Sequence, residues 1–194
     1  MSNELIIEES RGCRIVRFAR PEIRSPLSIS VLEQLHSVVD GTAADGRIQS
    51  LIFTGIDDVF ASGADLREIA AVDTKGAREF ALRGQTLMSK ISGLPQMTVA
   101  AVNGFCFGGA FDLTLACDHR IASPSAVFSH PGASLGIITG WGGTQRLPRL
   151  IGQANAFEMF FTASPITAAR ALKIGLIDEI SNNPLESAIK SLET

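Results

Sequence analysis

An α/β layered fold is predicted by three observations. Short apolar runs alternate with segments of helical periodicity in the order β-β-α-β-α-β-α. At 194 residues and 45% apolar content the chain supports one good core with little room for a second, so residues 1–194 are expected to form one domain. The stretch Val99 to Cys117, VAAVNGFCFGGAFDLTLAC, reads as a buried strand, a turn at Asn103-Gly104 and a helix opening on Gly108-Gly109. Such a helix start presents unpaired N–H groups to whatever lies above it, a natural seat for a carbonyl oxygen gathering charge.

In chain order, Leu5 to Glu8 and Cys13 to Phe18 are β-rich runs joined through Ser10-Arg11-Gly12, the composition of a hairpin turn. Pro21 and Pro26 keep residues 20–27 irregular. Ser28 is placed to cap a helix whose apolar positions are Ile29, Leu32, Leu35 and Val38-Val39. Ser50 to Thr54 is a buried strand; it enters a Gly- and Asp-rich loop that ends where Leu66 to Ala71 begins a helical turn. Ala77 to Ser92 carries a helical stripe at Phe80, Leu87 and Ile91, stopped by Gly93-Leu94-Pro95. After the central strand, turn and helix come short strands at Arg120–Ala122 and Ala126–Phe128, then a glycine-rich bend that turns helical from Thr144 to Gly152. Helices follow at Gln153–Phe161 and from Pro165 to Lys173, then a strand at Leu176–Ile180 and a helix from about Leu185.

Charge and cysteine content narrow the function. The net charge is −3 with both signs scattered, which gives no electrostatic footprint for nucleic acid. Cys13, Cys106 and Cys117 are an odd number in no metal-ligand spacing, read as reduced thiols, and no metal site is expected. The acidic opening MSNELIIEES is no signal peptide, and no stretch reaches the roughly 20 apolar residues that span a bilayer. A soluble, cytoplasmic protein without a membrane partner is expected.

Four motifs carry a family resemblance over nearly the whole chain: VFASGADLREI (59–69), AVNGFCFGGAFDLTLACDHRIAS (101–123), FSHPGASLGIITGWGGTQRLPRLIG (128–152) and ARALKIGLIDEI (169–180). In this order and at these separations they resemble the crotonase family, the enoyl-CoA hydratase/isomerase superfamily. The resemblance implies a spiral of repeated ββα units, usually a trimer or a dimer of trimers, that binds an acyl-CoA thioester as substrate without a tightly bound cofactor. It places two backbone N–H donors for the thioester oxygen at Ala64 and Gly109. Small residues and a helix N-terminus suit that role, because the dipole meets an enolate's developing charge. It also places Arg24, Leu27, Ala61, Gly63, Asp65, Leu66, Phe105, Gly132 and Trp141 around the substrate. Arg24 and Arg67 are candidates for the CoA phosphates.

The chain departs from that pattern in its acid–base residues. Hydratases of the family use two glutamates, one three residues after the oxyanion glycine and one just after the proline of FSHPG. Here those positions hold Asp112, about 1.5 Å shorter than glutamate, and Gly132. Water addition by two carboxylates therefore lacks its second carboxylate, which puts hydratase activity in doubt. Three substitutes are open: His130, which titrates near neutrality; Asp112 alone, shuttling a proton between carbons as an isomerase does; or a bound bicarbonate beside Gly132, as relatives of the dihydroxynaphthoyl-CoA synthase type suggest. Cys106 reads as an apolar filler, and Asp65 and Asp118 as anchors of backbone turns. The C-terminal helices of the family are largely absent from this sequence, which implies a shortened chain or cover by a partner. The sequence thus predicts an enolate-stabilising acyl-CoA enzyme of hydratase/isomerase type, with a catalytically impaired acyl-CoA-binding or assembly subunit as the alternative.

Overall fold

The computed structural model describes residues 4–191. β1 (Leu5–Ser10) and β2 (Cys13–Phe18) form the expected antiparallel hairpin, and Arg11-Gly12 turn it with φ of 51° and 75°. A 3-10 turn at Pro21–Ile23 leads to β3 (Pro26–Leu27), and α1 (Ile29–Ala44) starts where the Ser28 side chain accepts from Val31 N–H. Next come β4 (Ser50–Thr54), β5 (Val59–Ala61), β6 (Gly63–Ala64), α2 (Leu66–Ala71) and α3 (Thr74–Ser92). They are followed by β7 (Met97–Val102), β8 (Phe105–Phe107), α4 (Gly109–Ala116), β9 (His119–Ala122), β10 (Val127–Ser129) and α5 (Gly132–Leu135). The described chain closes with α6 (Gly143–Ile151), α7 (Gln153–Thr162), β11 (Ile166–Thr167), α8 (Ala168–Lys173), β12 (Glu179–Ile180) and α9 (Pro184–Lys190).

Three sheets result. The largest has the order β1-β2-β4-β7-β9-β12 and is parallel from β2 onward. The second has the order β11-β10-β8-β5, with β5, β8 and β10 parallel. β3 pairs with β6 in the third. Strands β4, β7 and β9 of the first sheet are each followed by β5, β8 and β10 of the second, and then by helix. This is the spiral of ββα turns that the resemblance implied.

Burial explains the apolar strand sequences. Leu51, Phe53, Ala100 and Val102 face the main core, while Ile52, Val99 and Ala101 face a smaller cluster closed by Leu185, Ala188 and Ile189 of α9. A parallel sheet covered on both faces reads as unbroken hydrophobics, as in SLIFT and VAAV.

Several local expectations are corrected. Between the turn at Asn103-Gly104 and the helix start, Phe105–Phe107 forms a further strand, β8, because it pairs with β5 and β10. Ile166–Thr167 pairs with β10, so the helix expected from Pro165 begins at Ala168. The strand expected over Leu176–Ile180 is confined to Glu179–Ile180, and α3 begins three residues before Ala77, where Asp73 Oδ1 accepts from Gly76 N–H at 2.7 Å.

Candidate active site

Gly63 and Gly109 meet at the head of the cavity. Gly63 has φ of +85°, and a Cβ on it would fall on Gly109 N and 2.8 Å from Phe107 O. Only glycine permits both the backbone conformation and this approach. Ala64 and Gly109 thus border one cavity of about 420 Å³, together with Asp112, His130, Gly132 and Trp141. Gly109 is the first residue of α4, so its N–H and the two that follow have no intrahelical acceptor.

Asp112, one turn into α4, is 1% exposed. Its Oδ2 accepts from the Thr139 hydroxyl, whereas Oδ1 has no hydrogen-bond partner and lies 3.5 Å from His130 Nε2. Burial pushes the carboxyl up to about 7, offset in part by Thr139, the Trp141 and Gly143 N–H groups and Arg146. Gly143 must lack a side chain, since a Cβ there would fall on Asp112 Oδ1.

His130 is 3% exposed, and burial lowers its pKa to about 3. The ring is therefore neutral at pH 7, and its approach to Asp112 is not an ion pair. It stacks on Phe111 with centroids 4.6 Å apart and lies 5.3 Å from Phe160, as an embedded aromatic would.

Gly132 borders the cavity, but not along the direction a side chain would take. A Cβ on it would lie 2.5 Å from the Ile137 carbonyl oxygen. That carbonyl oxygen fills the place a side chain at 132 would take.

The other sequence candidates divide. Leu66, 55% exposed, stands at the cavity rim, and Trp141 forms part of the wall. Leu27 and Ala61 are buried in the core; Leu27 pairs with Ala64 and supports the loop from below. Asp65 caps α2 through Arg67 N–H and grips the Arg67 guanidinium, which holds its carboxyl below the usual range. Arg24 lies 4.7 Å from the Phe105 ring centroid, and Phe105 stacks on Phe107; neither Arg24 nor Phe105 borders the cavity. Burial pushes the Cys106 thiol well up, in keeping with a packing residue.

Sequence reasoning missed Thr139, Gly84 and Gly143. The pair Gly142-Gly143 beside the chain's single tryptophan was the available signal of unusual packing.

A spiral of ββα turns, with a helix start opening on a cavity between successive turns, is the framework of the crotonase class. The chain belongs to the enoyl-CoA hydratase/isomerase family, whose model matches residues 8–191. It is 36% identical over 179 residues to a short-chain-enoyl-CoA hydratase of Clostridium acetobutylicum, covering 92% of this chain and 69% of that one. It is also 36% identical to the mitochondrial methylglutaconyl-CoA hydratase of Rattus norvegicus, over 89% of this chain and 55% of that one. The crystal structure of an enoyl-CoA hydratase from Bacillus anthracis matches with a TM-score of 0.93 at 33% identity, covering 98% of this chain and 76% of that one.

Proposed function

We propose that the chain binds an acyl-CoA thioester and stabilises its enolate, with Ala64 and Gly109 N–H as donors to the thioester oxygen and Asp112 as proton carrier. The observation that carries this reading is the contact of Gly63 with Gly109 at the head of a cavity on which, among the described residues, Asp112 is the one carboxylate. Asp112 Oδ1 takes the proton from C2, and the C–H electrons move into the enolate whose oxygen the two N–H groups hold. For a 3-enoyl thioester the same carboxyl returns the proton at C4, leaving a 2-enoyl product with no net change in protons. A carboxyl near 7 suits transfer in both directions at neutral pH. The absence of a carboxylate at 132 favours such isomerisation over two-carboxylate hydration.

The experiment is exchange of the C2 hydrogens of acyl-CoA in D2O, read by mass spectrometry. Exchange is expected from the wild type, with a loss of about 100-fold or more in Asp112→Asn. No exchange by the wild type, or equal exchange by the variant, overturns the assignment. Binding without exchange would favour the alternative of a binding or assembly subunit, which the closure of Asp112 from solvent supports.

A cytoplasmic homo-oligomer of three or six copies belongs to the same reading. It is supported by the exposed rings of Phe157 and Phe161 on α7.

A further inference from the structure

We propose that Trp141 ends the acyl channel between α3 and α4, so that the site selects thioesters whose acyl chain stops at its indole. This rests on the enolate reading. Along α3 the cavity is bordered by Ala77, Phe80 and Ala81, and the next position on that face is Gly84. Gly84 is buried, and the place of its side chain is taken by Trp141: a Cβ on Gly84 would fall on indole Cδ1 and Nε1. On the opposite side a Cβ on Gly109 would fall on Cζ3 and Cε3 of the same ring. Neither glycine is in the positive-φ region, so neither is demanded by its backbone. Both leave room for the indole, a plate filling the cleft between two helices, with the Phe80 ring centroid 5.7 Å away.

The ring lies against the residue whose N–H receives the carbonyl. The cleft between α3 and α4 at Gly84 and Gly109 is thus closed to an acyl chain by the indole, which leaves the chain only the space beside Ala77, Phe80 and Ala81. Longer chains must bend away toward the rim or displace the ring.

The test measures affinities of butyryl-, hexanoyl- and decanoyl-CoA by calorimetry for the wild type, Trp141→Ala, Trp141→Phe and Gly84→Ala. The wild type is expected to bind butyryl-CoA about 10-fold or more tighter than decanoyl-CoA, a usual range for pocket discrimination. Trp141→Ala is expected to improve decanoyl binding by about 10-fold, and Trp141→Phe by less. Gly84→Ala, which pushes the indole toward the cavity, is expected to weaken hexanoyl binding. If Trp141→Ala does not fold, Trp141→Phe and Gly84→Ala decide. Equal wild-type affinity for all three thioesters, or unchanged selectivity in a folded variant, overturns the channel stop alone. Failure of every form to bind any of the three overturns the enolate reading and this inference with it.

Discussion

Asp112 and His130 are each buried with little compensation, and their effects on stability run in opposite directions. For Asp112 the pKa is raised from 3.8 to about 7, so its contribution is fully present below the unfolded value and lost as pH rises through 7. The shift corresponds to something on the order of 4 kcal/mol. For His130 the pKa falls from 6.5 to about 3, so the folded state refuses a proton that the unfolded chain accepts, and stability is lost as pH falls below 6.5. Between about pH 4 and 6.5 the two slopes oppose each other. Asp112→Asn, which cannot ionise, is therefore expected to melt at a higher temperature than wild type at pH 8. Its melting temperature should also fall as pH drops through that window while the wild type changes less. Thermal melts from pH 4 to 8 check both, and an Asn variant less stable at pH 8 would show that the charged carboxylate is better solvated than its burial implies. The sequence marked Asp112 as a departure and His130 as a substitute, but not that they face each other. Nor did it show that Thr139 holds one carboxylate oxygen, because that contact joins residues 27 positions apart.

At the scale of elements, the proposed seat for the thioester oxygen is built from the ends of short pieces: β6, two residues long, lies against the first turn of α4. Gly63→Ala is expected to cost about 1 to 3 kcal/mol, because the methyl would separate β6 from α4, and to slow C2 exchange with the loss of donor alignment. Urea unfolding and deuterium incorporation measure the two effects; an alanine variant as stable and as active as wild type would show the contact to be dispensable. What could be read beforehand follows element length. SLIFT and the stripes of α1 and α3 are long enough for a period to show. Phe105-Cys106-Phe107 and Val59-Phe60-Ala61 are three-residue strands, too short for alternation to register, and their pairing partners lie in other turns of the spiral. Gly108-Gly109 and Asp112 stood out because glycine and acid placement around a helix start has a local physical meaning. The slot for Trp141 was not, since Gly84 and Gly109 come together only in the fold.

For the whole molecule, the apolar surface on α7 is the clearest sign of association. Phe161 is 78% exposed and lies 5.9 Å from Phe157 between ring centroids. Light scattering is expected to give three or six times the chain mass, with a smaller species for Phe161→Glu; a monomeric wild type would remove the oligomer from the proposal. Two tasks are also divided along the chain on the proposed reading. Ala64 and Gly109 follow the first sheet's strands β4 and β7, whereas His130, Thr139 and Trp141 follow β9. Gly109 and Asp112 on the second of those turns meet Trp141, His130 and Thr139 on the third. On the proposed reading the first two coils hold the thioester oxygen and the proton carrier, and the third supplies the groups that face Asp112 and the acyl chain. On that reading, changes at His130 and Thr139 bear on the proton held by Asp112 and changes at Trp141 on the acyl group, so the third coil is where one scaffold varies its reaction.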